Sequence, residues 1–103
     1  MYIQNYAITK SNVSVRTAIA ASAIPPLNPQ ISANTARQKI CFTNGSSTLK
    51  FYIAFGTNEG SITDYTLILN PGDYFEDTTS IDAVSAVSNG TSLTDILYVT
   101  EMS

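Results

Sequence analysis

The sequence contains no histidine, no tryptophan and a single cysteine. Without histidine it lacks the commonest general base, the usual partner of a serine or cysteine nucleophile, and the commonest transition-metal ligand. Hydrolase triads and zinc sites are disfavoured accordingly. One cysteine excludes an internal disulfide framework and an all-cysteine metal site. Cys41 lies between Ile40 and Phe42, where a small buried hydrophobe is expected. Gly56, Gly60 and Gly72 do not compose a dinucleotide or phosphate loop, and no Gly-Lys-Ser/Thr element occurs. No stretch reaches the ~20 apolar residues of a membrane span. The segment Met1 to Asn5 lacks the basic patch and apolar run of a secretory signal. The expectation is a soluble chain made in the cytoplasm, with no membrane partner.

Charge is also scarce. Only 13% of the 103 residues are charged, about half the usual share, so little is available to solvate a monomer's surface. All five basic residues (Lys10, Arg16, Arg37, Lys39, Lys50) precede all eight acids (Glu59, Asp64, Asp73, Glu76, Asp77, Asp82, Asp95, Glu101). Two readings fit this asymmetry: basic and acidic strands pair within one domain, or a basic arm of one copy lies on an acidic face of the next. A net charge of −3 and the absence of a basic patch with interleaved aromatics argue against nucleic acid.

What is present is β-structure. The apolar share is 44% with a mean hydropathy of +0.07, enough for a packed core in one small domain. Arg37 to Thr43 alternates through Ile40 and Phe42. Lys50 to Phe55 places Phe51, Ile53 and Phe55 on one face and Tyr52 and Ala54 on the other. Asn44-Gly45 between them is a hairpin signal. Tyr65 to Leu69 follows and ends at Asn70-Pro71-Gly72, where glycine takes a left-handed turn position. Tyr74 to Glu76 reads as its short continuation. Ile81 to Val87 alternates, and Asn89-Gly90 leads into Leu93 to Glu101, where Leu93, Leu97 and Val99 share a face broken by Asp95. The fold class is all-β: a small antiparallel β-sandwich or jelly-roll-like barrel with an extended N-terminal arm.

Residues 1–36 are expected to form that arm and 37–103 the sandwich domain. Val13, Val15, Thr17 and Ile19 alternate as a strand, and Ala18 to Ala23 is compatible with a short helical turn. Pro25-Pro26-Leu27-Asn28-Pro29 is an extended connector, because proline cannot donate to a central ladder. The arm either docks on its own domain or reaches a neighbouring subunit.

Asp73, Glu76 and Asp77 are the one carboxylate group of note. Their spacing is not that of a calcium loop, so solvated turn residues are expected. Two acids of a glycosidase would need a substrate cleft for which the chain has little room. No catalytic residue, cofactor or metal is expected. Asn12-Val13-Ser14, Asn44-Gly45-Ser46 and Asn89-Gly90-Thr91 match the glycosylation sequon but read as strand and turn residues. Six tyrosines suit both strands and interfaces.

The stretch from Arg37 to Glu101 resembles the short β-sandwich decoration, or cement, proteins of tailed-bacteriophage capsids. The likeness is carried by Arg37-Gln38-Lys39-Ile40-Cys41-Phe42-Thr43-Asn44, by Phe55-Gly56, by Leu69-Asn70-Pro71-Gly72-Asp73-Tyr74-Phe75-Glu76, and by Leu97-Tyr98-Val99-Thr100-Glu101. It implies a non-enzymatic virion protein, made in the host cytoplasm, that sits in many copies on the shell. Such proteins often form trimers and bridge neighbouring subunits of the major capsid protein or other virion proteins. The contacts are then expected on the arm, at Tyr2, Ile3, Tyr6, Ile8, Val13, Val15 and Arg16. A neck, tail or head-fibre component and a small carbohydrate-binding domain are the alternatives.

Overall fold

The computed structural model describes residues 14–56 and 60–103. Among these residues all regular structure is strand: β1 (Ser14–Ala21), β2 (Lys39–Asn44), β3 (Phe51–Phe55), β4 (Leu67–Leu69), β5 (Tyr74–Asp77), β6 (Val84–Ser88) and β7 (Ser92–Met102). They form two antiparallel sheets, one ordered β1-β7-β2-β5 and the other β4-β3-β6. Ile31 makes a single antiparallel bridge to Val84, on the side of β6 away from β3. With that bridge counted as a strand reduced to one residue, each layer has four chain passes. The order Ile31-β6-β3-β4 against β1-β7-β2-β5 is a jelly roll.

The alternation read from the sequence builds the core. Ile19, Ile40, Phe42, Leu97 and Val99 point inward from the larger sheet and meet Phe51, Ile53, Leu69, Val84 and Ala86 from the smaller. Phe42 meets Phe55 across the layers edge-to-face, with ring centroids 5.9 Å apart. Full burial of each Val, Leu, Ile or Phe side chain in this cluster contributes about 1.5–3 kcal/mol.

Pairing differs from expectation. Asn44-Gly45 does not close a hairpin: β2 pairs with β5 and β7, whereas β3 pairs with β4 and β6. The chain changes sheet here, and buried Asn44 fixes the corner. Its Nδ2 donates to the carbonyls of Leu49 (2.8 Å) and Leu69 (3.0 Å), and its Oδ1 accepts from the Ser46 amide (2.8 Å). Gly45 is required for space. A Cβ there would lie 2.6 Å from the Tyr98 ring and 2.9 Å from the Ile96 carbonyl. Tyr74 to Glu76 likewise does not continue the preceding strand. β4 and β5 lie in different sheets, joined through Gly72 at φ +81°, the left-handed position expected of it.

Two further readings are corrected. Ala18 to Ala21 is strand and not a helical turn, because pairing with β7 buries Ile19 and Ala21 and overrides alanine's helix preference. Leu93 does not share the core face of Leu97 and Val99. The register jumps from Ala20↔Ile96 to Ala21↔Ser92, a bulge that turns Leu93 outward to 85% exposure.

Among the described residues two basic side chains, Arg37 and Lys39, meet acids. The Arg37 side chain is fully buried. Its Nε and Nη2 donate to Glu101 Oε1 (3.0 and 2.8 Å), its Nη1 to the Asp82 carbonyl (2.7 Å) and its Nη2 to the Ser32 carbonyl (3.1 Å). One guanidinium thus ties the β1–β2 connector, the β5–β6 loop and the end of β7 together.

Candidate interaction surface

The face of the β1-β7-β2-β5 sheet turned away from the core follows from the same alternation. Cross-strand partners place Arg16, Thr100, Cys41 and Glu76 in one row, and Ala18, Tyr98, Thr43 and Tyr74 in the next. Tyr74 and Tyr98 are more than half exposed, and Met102 also reaches solvent. The result is a sheet face with aromatic and polar groups interleaved, a composition suited to protein contact.

Four side chains on β2 and β5 are linked there. Glu76 Oε2 accepts from Tyr74 Oη (2.8 Å), pairs with Lys39 Nζ (3.0 Å) and lies 3.8 Å from Cys41 Sγ. Cys41 is half-buried on this outer face. The buried position expected for it is corrected, because its neighbours Ile40 and Phe42 take the inward positions. Hydrogen bonds from Tyr74 and Lys39 hold the Glu76 carboxyl below the usual range. Its hydrogen bond to Glu76 raises Lys39. Contacts with Cys41 and then Glu76 push Tyr74 above the ordinary phenol value of 10.0. All three shifts lead away from neutrality. At pH 7 the cluster presents a fixed phenol donor, ammonium and carboxylate, whereas proton transfer works best with groups poised near the working pH.

The other carboxylates diverge. Asp73 Oδ2 accepts from the Asn70 amide (2.9 Å). Asp77 turns back to the Ser80 amide (2.7 Å) and Thr79 hydroxyl (3.0 Å). Burial raises the Asp77 carboxyl, and these hydrogen bonds together with Arg37 outweigh it and leave it lowered. No group of three or more potential metal ligands occurs among the described residues. The Asn44 and Asn89 sequons have structural uses: Asn44 in the corner, and Asn89 Oδ1 accepting from the Lys50 amide (2.9 Å).

Of the expected contact residues, Tyr2, Ile3, Tyr6, Ile8 and Val13 lie outside the described residues. Val15 and Arg16 are exposed on β1, an edge of the large sheet, and point to opposite faces: Val15 shares the row of Glu101 and Ile40, Arg16 that of Thr100 and Cys41. Tyr74, Tyr98, Lys39 and Glu76 were not among the contacts expected. For Lys39 and Tyr98 the signal was present, since each alternates with core residues of its own strand, whereas Tyr74 and Glu76 lie on β5, whose residues are exposed or half-buried throughout. A second exposed apolar group, Ile24, Leu27 and Leu93, occupies the β1–β2 connector and the start of β7. The connector is joined to that region by Ala23 N donating to Thr91 Oγ1 (3.0 Å).

The fold and surface define a small jelly-roll domain with an aromatic outer sheet face. Comparison with known families, curated proteins and solved structures returns no match.

Proposed function

We propose that this chain is a non-enzymatic structural protein of a bacteriophage virion, which binds the capsid shell as a decoration or cement protein. The observation that carries this reading is the outer face of the large sheet. It combines exposed Tyr74, Tyr98 and Met102 with a hydrogen-bonded cluster whose ionisations lie away from neutrality. Such a face supplies apolar area and fixed polar contacts, and suits recognition better than proton transfer. The low charge and the sequence likeness to cement proteins support the same reading. Small interfaces repeated over a lattice would stabilise the shell through multivalency.

Because Ile19 and Ala21 belong to the core, a truncation that spares the fold stops before Ser14. Deleting residues 2–12 and, separately, replacing Tyr74 and Tyr98 by alanine should each lower the number of copies that co-sediment with purified shells. Undiminished binding by both variants refutes the proposal. Hundreds of copies per particle support decoration, and a few support a neck, tail or head-fibre role. Exposed Tyr65, Tyr74 and Tyr98 favour one second reading, a carbohydrate-binding domain. Saturable glycan-array binding lost on replacing these tyrosines would establish it.

A further inference from the structure

We propose that the two open edges of the large sheet, β1 and β5, are the complementary halves of one interface, whose partner is a second copy of this chain. Among the described residues each edge strand pairs on one side only, β1 with β7 and β5 with β2. The cross-strand rows run unbroken from one edge to the other. Arg16, Thr100, Cys41 and Glu76 form one outer row, Ala18, Tyr98, Thr43 and Tyr74 the next, and Thr17, Val99, Phe42 and Phe75 an inner one.

The first of these rows begins on a cation and ends on a carboxylate. The Arg16 side chain has no ion pair or hydrogen bond among the described residues. Glu76 receives Lys39, Tyr74 and Cys41 on Oε2, which leaves Oε1 without a described partner. Four strands alternating in direction leave β1 and β5 antiparallel. A second copy can therefore add its β5 to β1 by the same antiparallel ladder that runs through the sheet. Continuing the rows sets Arg16 opposite Glu76 of the partner subunit.

The neighbouring positions fit as well. Ala18 falls opposite Tyr74 of the partner subunit, a small residue beside a large ring. Thr17 falls opposite Phe75 of the partner subunit, whose side chain is 37% exposed at the open edge. Val15, itself 49% exposed, meets Asp77 of the partner subunit, a carboxylate turned back onto Thr79 and Ser80. Pairing of like edges is less favourable: two β5 strands bring Glu76 and Asp77 of both copies together, and two β1 strands offer Arg16 no carboxylate. The contact is head-to-tail, so it closes as a ring when the rotation between copies divides the circle. It rests on register and charge within the chain and is independent of the virion reading.

The test is sedimentation equilibrium of the full chain, without capsids, at about 10–200 µM. The parent should associate. Arg16→Glu and Glu76→Arg should each weaken association at least about tenfold by placing like charges together. The double variant R16E/E76R restores the pair with its sign reversed and should associate within about threefold of the parent. Arg16→Gln, which disturbs no described contact, should give an intermediate loss. A parent that stays monomeric, association indifferent to the reversals, or a double variant no better than the single ones would overturn the proposal.

Discussion

The inner and outer faces of the large sheet are built from the same strands, yet they use charge in opposite ways. On the inner side Arg37 is buried with Glu101, and its donors also reach the carbonyls of Asp82 and Ser32. On the outer side Lys39, two residues later, pairs with Glu76 in water beside Tyr74. A buried charge must have its partners, because removing one leaves the other unsolvated. An exposed pair is screened and contributes little to stability, but its groups stay available to a second molecule. The inner pair therefore belongs to the fold, whereas the outer pair is left accessible to a second molecule.

The comparison breaks if the inner pair proves dispensable. Arg37→Ala should destabilise the domain by about 3–5 kcal/mol, a large part of the stability of a chain this size, read from urea midpoints. Asn44→Ala comes next. It strips the buried corner of three hydrogen bonds, and about 1–3 kcal/mol is expected for the partners left unmade. Gly45→Ala should cost about 1–3 kcal/mol in the same assay, since the Tyr98 ring can shift but the Ile96 backbone cannot do so cheaply.

The outer face should respond to pH and hardly to substitution. Glu76 is held below its ordinary value of 4.5, and away from that face, in the β7 bulge, Asp95, bonded by Ser92 and then Ser46, is held below 3.8. Carboxyls with lowered folded values contribute stability that is complete above their unfolded values and lost as pH falls through the folded ones. The urea midpoint should therefore drop on acidification below about pH 4, and less steeply in Glu76→Gln. At the alkaline end Tyr74 should ionise above 10.0, seen as a late step in ultraviolet difference titration. Tyr74→Phe should remove that step. Its loss on replacing Glu76 and Cys41 would tie the shift to the cluster.

Strand positions were legible because alternation is a property of neighbouring residues. Ile40 and Phe42 on β2, Phe51, Ile53 and Phe55 on β3, and Leu97 and Val99 on β7 occupy the faces their spacing implies. Pairing was not legible. Asn44-Gly45 carries the local signature of a hairpin turn, and the same dipeptide serves a change of sheet once Asn44 is buried between Leu49 and Leu69. Leu93 fits the core pattern until the bulge beside Ala21 displaces it. Of the candidate outer face, only Arg16 was among the expected contacts, since Val15 lies on the same edge strand but in the inward row. Tyr74, Glu76, Lys39 and Tyr98 come from strands far apart in sequence, and register alone makes them neighbours.

The sequence by itself determined an all-β chain with inward and outward residues on each strand, because a side-chain period of two needs no knowledge of the partner strand. It also showed that these 103 residues contain no histidine. Tertiary structure decided which strands share a sheet, which of the segregated charges meet, and that Ser14–Ala21 is an edge strand contributing Ile19 and Ala21 to the core. Those outcomes depend on contacts between residues distant in the chain, whose energies are settled only when the two layers close over a common core.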